Sequence, residues 1–236
     1  MCTVSFVNSN GKYIITSNRD EKVARPKAIE PKNYLINDKK VFYPKDSKAG
    51  GTWYAVDEKA HILVLLNGAK EKHVHRLDYR KSRGLIALDL IGQESIITAW
   101  STIDLENIEP FTLVVFENQN LYQLQWNEIE KETVLLDKSN NYIWSSSTLY
   151  AEDVREKRKQ WFYEFIASKE VVTNLDMFDF HRHTDKDNLE NGLIINRNNI
   201  LMTLSITQTV IEQNKVLLTH LDLIKEEEFT NSFIVI

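Results

Sequence analysis

Residues 1–21, MCTVSFVNSNGKYIITSNRDE, decide the fold of this protein. Residues 2–8 are rich in β-formers and predict a strand with Cys2 on one face. An Asn-Ser-Asn-Gly turn signal follows, and residues 13–16 predict a second strand. The two strands should form a hairpin. A hairpin would bring the polar run at residues 18–21 back beside the only cysteine of the chain.

Composition excludes several classes of protein. The 236-residue chain is 42% hydrophobic and carries a formal net charge of −5, which supports a packed core and offers no basic face for nucleic acid. No apolar run approaches the roughly 20 residues of a membrane-spanning helix. The N-terminus lacks the basic start of a signal peptide, and one cysteine cannot form an internal disulfide. We therefore expect a cytoplasmic protein with no nucleic-acid partner and no membrane span, and the oligomeric state stays open.

The order of the predicted elements indicates the fold class. Strands are predicted at residues 53–56, 62–66, 111–116, 121–126, 133–136, 207–211 and 216–223, and helices at 82–91, 95–100, 152–167 and 174–180. Residues 22–52 hold three of the four prolines and predict a long excursion with little regular structure. Strands at both ends and helices in the middle favour an α+β layered fold. Without a clear linker or repeat, we predict one domain over residues 1–236.

Cys2 directly follows the initiator methionine, which methionine aminopeptidase removes when the next residue is small. Removal would leave Cys2 with a thiol and a free α-amine, whose pKa lies near ~7.7–8. That amine can take the thiol proton and generate the nucleophilic thiolate. Arg19 and Asp20 can orient the amine or hold an acyl group, and Asn67 can donate to an oxyanion. The alternative, that Cys2 is only a small buried hydrophobe, stays open at this point.

The motifs of the first 70 residues occur in an order that resembles a known family. They are Met1-Cys2, Asn-Arg-Asp-Glu at residues 18–21, Arg25-Pro26, and Gly-Gly-Thr-Trp at residues 50–53. Together they are similar to the NRDE family, the family of transport and Golgi organisation protein 2. The resemblance implies the four-layer αββα sandwich of the N-terminal nucleophile hydrolases. The similar enzymes of the cholylglycine-hydrolase and penicillin V acylase type hydrolyse linear amides through an N-terminal cysteine.

The resemblance also implies roles for particular residues. Carried over by position, Cys2 would be the nucleophile, Arg19 and Asp20 the orienting pair, and Asn67 the oxyanion donor. The substrate pocket is expected to include Asn18, Gly51, Trp53 and Ser146. The sequence departs from the pattern at two places: Ser146 stands where the acylases have a second asparagine, and residues 204–208 lack their later arginine.

The resemblance leaves two functions open. One is an N-terminal cysteine amidohydrolase that acts on a linear amide or N-acyl substrate through an acyl-enzyme. The alternative is a non-catalytic protein that binds or carries haem, acyl-CoA or other lipid-like small molecules. A weaker third idea is a structural or redox role for an exposed thiol. No cofactor is predicted.

The remaining polar groups receive ordinary interpretations. His181 and His183 predict a polar surface loop rather than a metal site, and His73 and His75 are interpreted in the same way. The basic run at residues 155–159 is interpreted as a solvated helix face. No metal site is predicted.

Overall fold

The computed structural model describes residues 3–76 and 78–235, and these residues form fourteen strands and four helices. The strands are β1 (Thr3–Ser9), β2 (Lys12–Lys22), β3 (Ile29–Ile36), β4 (Lys39–Lys45), β5 (Tyr54–Asp57), β6 (Ile62–Asn67), β7 (Phe111–Glu117), β8 (Asn120–Trp126), β9 (Lys131–Leu136), β10 (Tyr142–Ser145), β11 (Asn196–Arg197), β12 (Leu201–Glu212), β13 (Lys215–Asp222) and β14 (Glu227–Ile234). The helices are α1 (Arg83–Ile91), α2 (Ile96–Thr102), α3 (Glu152–Ala167) and α4 (Asn174–His183). None of these helices combines the length and apolar character that crossing a membrane requires.

The chain divides into two compact units, each with a seven-stranded antiparallel sheet. Unit 1 comprises the chain up to Arg25 and from Ser139 onward, and unit 2 is Pro26–Lys138. Two antiparallel sheets with few helices confirm the predicted α+β class. The grouping of residues 1–236 into one domain stays a prediction.

Strands β1 and β2 of the unit 1 sheet form the predicted hairpin. Its strand order is β10-β1-β2-β12-β13-β14, and β11 pairs with β12. Thr3 lies opposite Asn18, and Ser9 lies opposite Lys12 at the turn. The turn residues Asn10 and Gly11 have φ angles of 51° and 76°, the left-handed conformations that an Asn-Gly turn supplies at low cost.

Helices α3 and α4 cover one face of this sheet. Val7 and Ile14 of the hairpin share a buried cluster with Phe162 of α3 and Met177 of α4. A capping box starts α4, because the Thr173 hydroxyl accepts from the Asp176 N–H while the Asp176 carboxylate accepts from the Thr173 N–H. The helix predicted at residues 174–180 is therefore confirmed, and it continues for most of one further turn, to His183.

Unit 2 is a meander in which the strands pair in chain order from β3 to β9. The central strands β6 and β7 are buried almost throughout, which explains why their sequences are apolar on both faces. Helix α1 packs against β5 and β6.

Residues 22–52 were the main error of the sequence-based prediction. They contain β3 and β4, a paired hairpin, rather than irregular chain. Pro31 has no N–H to donate, but β3 is the edge strand of its sheet, so the strand needs hydrogen bonds to a neighbour on one side only. Strands β10 and β14, at the two edges of the other sheet, were also not predicted.

Candidate active site

The predicted site residues of unit 1 gather around the start of β1. Thr3 lies between Asn18 of β2 and Ser145 of β10. Arg19 and Ser146 directly follow these two partners, and antiparallel partners lie about 4.5–5.5 Å apart. The structure therefore brings Arg19 and Ser146 to the same end of the sheet. Cys2 falls outside the described residues, so its role as nucleophile stays a prediction.

Asp20 is held at both carboxylate oxygens. It is only 2% exposed. The Tyr150 hydroxyl donates to Oδ2 at 2.6 Å, and the Thr203 hydroxyl donates to Oδ1 at 2.6 Å. Thr203 Oγ1 in turn accepts from the Ile195 N–H at 2.9 Å. A buried carboxylate needs such donors, since an unbonded charge in a low-dielectric interior is very unfavourable. Tyr150 and Thr203 therefore fix the orientation of Asp20.

A β-bulge in β12 allows this strand to place one residue opposite Arg19 and another opposite Asp20 on different faces of the sheet. Adjacent residues of a strand point to opposite faces, so Arg19 faces away from the side on which Asp20 lies. The pairing of β12 with β2 shifts register between Thr203 and Ser205, so that Thr203 lies opposite Asp20 while Ser205 lies opposite Arg19. Without the bulge, Thr203 and Ser205 would share one face. Arg19 is 3% exposed, and Ser205 Oγ has no hydrogen-bond partner within residues 3–76 and 78–235.

Ser146 is buried beside this strand end. Its hydroxyl lies 2.9 Å from the Thr148 hydroxyl, and its carbonyl oxygen accepts from the Tyr150 N–H at 3.1 Å. This backbone turn directs the chain from β10 to Tyr150, the residue that holds Asp20. The predicted place of Ser146 in a substrate pocket stays a prediction.

Arg158 is a buried residue that the prediction of a solvated basic run placed wrongly. Its side chain is fully buried in α3. Nη1 donates to Thr3 Oγ1 at 2.7 Å, Nε and Nη2 donate to the Asn191 carbonyl at 3.2 Å, and Nη2 also donates to the Gly192 carbonyl. The guanidinium carbon lies 3.5 Å from the centroid of the Tyr150 ring. Helical spacing contained the signal, because Arg158 precedes the core residue Phe162 by four positions.

His181 is also buried, which contradicts its assignment to a surface loop. It lies in α4, where its Nδ1 is 2.7 Å from Asn18 Oδ1 and its Nε2 is 2.7 Å from Ser5 Oγ. Burial, with the nearby charge of Arg158, lowers the pKa of His181 to about 3, so the imidazole is neutral. The Asn18 amide group donates to the carbonyls of His181 and Leu193, which leaves Oδ1 as the acceptor and makes Nδ1 the protonated nitrogen.

These contacts give Asn18 a structural function, because its amide ties β2 to α4. Its predicted place in the pocket stays a prediction. Among residues 3–76 and 78–235, no group of three potential ligands is arranged to hold a metal ion. His73 and His75 instead both lie 3.1 Å from Glu109 Oε1, and Arg83 binds the other oxygen of that carboxylate.

The other predicted site residues belong to unit 2. Asn67 is the half-buried last residue of β6, opposite Phe111. Trp53 is 2% exposed, and its carbonyl accepts from the Leu65 N–H. Gly51 packs so closely on Gly84, at the start of α1, that a Cβ on Gly51 would collide with the Gly84 backbone. The roles of Asn67 as oxyanion donor and of Gly51 and Trp53 as pocket residues stay predictions.

Comparison with protein-family models shows to which family this chain belongs. The family model for Transport and Golgi organisation 2 matches residues 1–217. This chain belongs to the Transport and Golgi organisation 2 family. The match confirms the family resemblance predicted from the motifs of the first 70 residues. A comparison with curated protein sequences found no match.

Solved structures show which fold this member of the Transport and Golgi organisation 2 family has. An N-acylethanolamine-hydrolyzing acid amidase ortholog from Caenorhabditis elegans matches with a TM-score of 0.62 and 12% identity, over 89% of this chain and 92% of its own. A cysteine-to-alanine mutant of conjugated bile acid hydrolase from Clostridium perfringens matches with a TM-score of 0.54 and 11% identity, over 99% and 97%. An arginine-to-leucine variant of the same hydrolase gives 0.53 and 10%, over 99% and 98%. These likenesses confirm the predicted N-terminal nucleophile hydrolase fold.

Proposed function

We propose that this protein is an N-terminal cysteine amidohydrolase that cleaves a linear amide or N-acyl substrate through an acyl-enzyme. The observation that carries the proposal is the fixed carboxylate of Asp20, which follows a buried arginine on the strand that pairs with Thr3. Its fold, shared with an acid amidase and a conjugated bile acid hydrolase, supports the same reaction class.

The proposed reaction needs no group beyond the chain and water. Removal of Met1 frees the α-amine of Cys2, which takes the thiol proton. The thiolate attacks the substrate carbonyl carbon, and the Asn67 amide stabilises the oxyanion. The leaving amine then takes the proton from the Cys2 ammonium as the C–N bond breaks, which leaves a thioester. Water attacks the thioester, the acid departs, and the thiol and the free amine are restored.

Arg19 and Asp20 have complementary electrostatic effects in this mechanism. A nearby guanidinium favours the thiolate, whereas a nearby carboxylate favours the ammonium. Together they stabilise the thiolate–ammonium form of Cys2 over the neutral form. Because Tyr150 and Thr203 hold Asp20 rigidly, the carboxylate needs little reorganisation during the reaction.

Intact-mass measurement and acyl-enzyme trapping test the proposal. The purified protein should lack Met1, and acid-quenched wild type incubated with a panel of N-acyl amines should gain the mass of one acyl group. Cys2→Ala should neither gain this mass nor release amine, whereas Ser9→Ala, at the far end of β1, should behave like wild type. Retention of Met1, or full amine release by Cys2→Ala, would contradict the mechanism.

The same preparation tests the non-catalytic alternative. Haem and acyl-CoA are added separately, and binding is followed by absorbance in the Soret region and by thermal shift. Equal binding by wild type and Cys2→Ala, with no acyl-enzyme from any substrate, would favour a binding or trafficking protein over a hydrolase.

A further inference from the structure

Arg158 carries a buried charge, and no carboxylate of the described residues forms an ion pair with it. Within residues 3–76 and 78–235, its polar contacts are the Thr3 hydroxyl and the carbonyls of Asn191 and Gly192, together with the Tyr150 ring. A guanidinium stays protonated in proteins. Burial of an ion without a counter-ion is strongly unfavourable, so the fold must provide every one of these contacts.

The loop that meets Arg158 is shaped for this contact. The Gly192 N–H donates to the Asn188 carbonyl at 2.7 Å, and a Cβ on Gly192 would collide with the Asp185 carbonyl oxygen. This tight turn holds the Asn191 and Gly192 carbonyls against the guanidinium. The partial negative charge on these carbonyl oxygens offsets part of the guanidinium charge, and the net charge there stays positive.

The position of the guanidinium links both parts of the proposed site. On one side it donates to Thr3, the residue that follows Cys2 in the chain. On the other side it lies flat on the ring of Tyr150, whose hydroxyl donates to Asp20. Removal of Arg158 would therefore loosen the start of β1 and the support of Asp20 together.

The other ionisable groups around Arg158 do not supply a counter-ion. His181 of α4 is neutral, because burial and the charge of Arg158 lower its pKa to about 3. Arg197 of β11 lies on the same Tyr150 ring, with its guanidinium carbon 5.3 Å from the centroid, and adds positive charge. On β2, Asp20 accepts from the Tyr150 hydroxyl, and within residues 3–76 and 78–235 it forms no ion pair with Arg158, whereas its neighbour Arg19 is cationic.

We propose that Arg158 is a positioning residue of the Cys2 site, which fixes the start of β1 through Thr3 and supplies positive charge that favours the Cys2 thiolate. The inference rests on the proposed function, since only a nucleophilic Cys2 would use this charge. Arg158 Nη1 lies 2.7 Å from Thr3 Oγ1, and Thr3 is the residue that follows Cys2 in the sequence. A unit charge at roughly 10 Å from a thiol, with an effective dielectric constant near ~20, lowers the thiol pKa by about one unit.

The single cysteine makes the test selective, because alkylation of this chain reports on Cys2 alone. The rate of iodoacetamide alkylation is measured against pH for wild type, Arg158→Met and Arg158→Lys. We expect Arg158→Met to raise the alkylation midpoint by about one pH unit, and Arg158→Lys to recover at least half of that shift. Lys159→Gln, which removes an exposed charge from the same helix, should leave the midpoint within about 0.2 unit.

A second variant separates charge from positioning. Thr3→Val removes the hydroxyl that Arg158 contacts but keeps the guanidinium, so it should slow acyl-enzyme formation while the alkylation midpoint stays near wild type. It also serves if Arg158→Met fails to fold, because acyl-enzyme formation at the wild-type rate in Thr3→Val would then overturn the positioning role. An unshifted midpoint in a folded Arg158→Met, or a midpoint in Arg158→Lys that is shifted as far as in Arg158→Met, would overturn the inference. Failure of the proposed function is distinct, since the midpoint would still shift while no acyl-enzyme formed.

Discussion

Tyr150→Phe removes one hydroxyl and keeps the aromatic ring. The lost O–H donates to Asp20 Oδ2 at 2.6 Å, whereas the contact between the ring and Arg158 does not need it. A hydrogen bond to a charged group contributes about 1.5–3 kcal/mol, and here the carboxylate is only 2% exposed, so water cannot replace the donor. For a protein of this size, the loss corresponds to a decrease in Tm of about 3–12 °C.

A double-mutant cycle shows whether the effect passes through Asp20. Differential scanning calorimetry is applied to wild type, Tyr150→Phe, Asp20→Asn and the double variant. If the hydroxyl acts through the carboxylate, Tyr150→Phe should cost much less in the Asp20→Asn background, with a coupling energy above about 1 kcal/mol. Tyr163→Phe is the matched control, because Tyr163 is half-exposed and its hydroxyl donates to the Asn141 carbonyl at the long distance of 3.4 Å.

Two results would refute this reasoning. A Tm of Tyr150→Phe within about 1 °C of wild type would show that the 2.6 Å contact contributes nothing measurable. An equal loss in both backgrounds would show that the hydroxyl stabilises some other group. Where both the coupling and the proposed function hold, acyl-enzyme formation should slow in Tyr150→Phe and not in Tyr163→Phe.

Two further predictions concern unit 2. His61 Nδ1 lies 2.9 Å from Asp57 Oδ2, and His61 Nε2 lies 3.1 Å from Asn118 Oδ1. Burial lowers the pKa of His61, but Asp57 and Asn118 together raise it more, so the net shift is upward. The stabilisation of the folded state by this raised pKa is complete below the unfolded pKa near ~6.5 and is lost as pH rises through the folded pKa. The Tm of wild type should therefore fall more than the Tm of His61→Gln between about pH 6 and pH 9. Gly51→Ala should reduce the free energy of unfolding by more than Gly50→Ala does. Gly50→Ala is expected to cost roughly 1–2 kcal/mol, because alanine is strained at the Gly50 φ of 75°, whereas a Cβ on Gly51 would collide with the Gly84 backbone. Urea unfolding of both variants checks this order.

The first hairpin could be predicted because its information is local. Strand β1, an Asn-Gly turn and β2 follow one another within residues 3–22, and the turn has the left-handed angles that this dipeptide favours. The hairpin in turn made it possible to predict that Arg19 and Asp20 lie near the start of the chain. The register pairs Thr3 with Asn18, the residue before Arg19, and the approach of Arg19 and Asp20 to Cys2 stays a prediction.

The support of the site could not be predicted in the same way. Arg158 contacts Thr3 across 155 positions of sequence, and His181 contacts Ser5 across 176. A window of ten residues around either side chain contains mostly polar residues, so local composition favoured solvent exposure. Only the antiparallel sheet, which brings the first strand under α3 and α4, makes these side chains buried.

The bulge between Thr203 and Ser205 shows a further limit. Residues two apart on a regular strand share a face, so periodicity alone assigns both hydroxyls to one side. The observed register instead gives Thr203 to Asp20 and Ser205 to Arg19. A bulge has no firm sequence signal, yet bulges are frequent beside active sites because they redirect single side chains.

The sheet face beneath α3 and α4 changes character along β1 and β2. Near the turn it is apolar, with Val7 and Ile14 packed against the helices. At the other end it is polar, where Thr3 and Asp20 are buried and hydrogen-bonded. Apolar residues of similar volume would stabilise this end at least as well, because buried ions bring a large desolvation penalty. These buried polar residues are therefore not explained by stability, and they are the residues that the proposed hydrolysis at Cys2 would use.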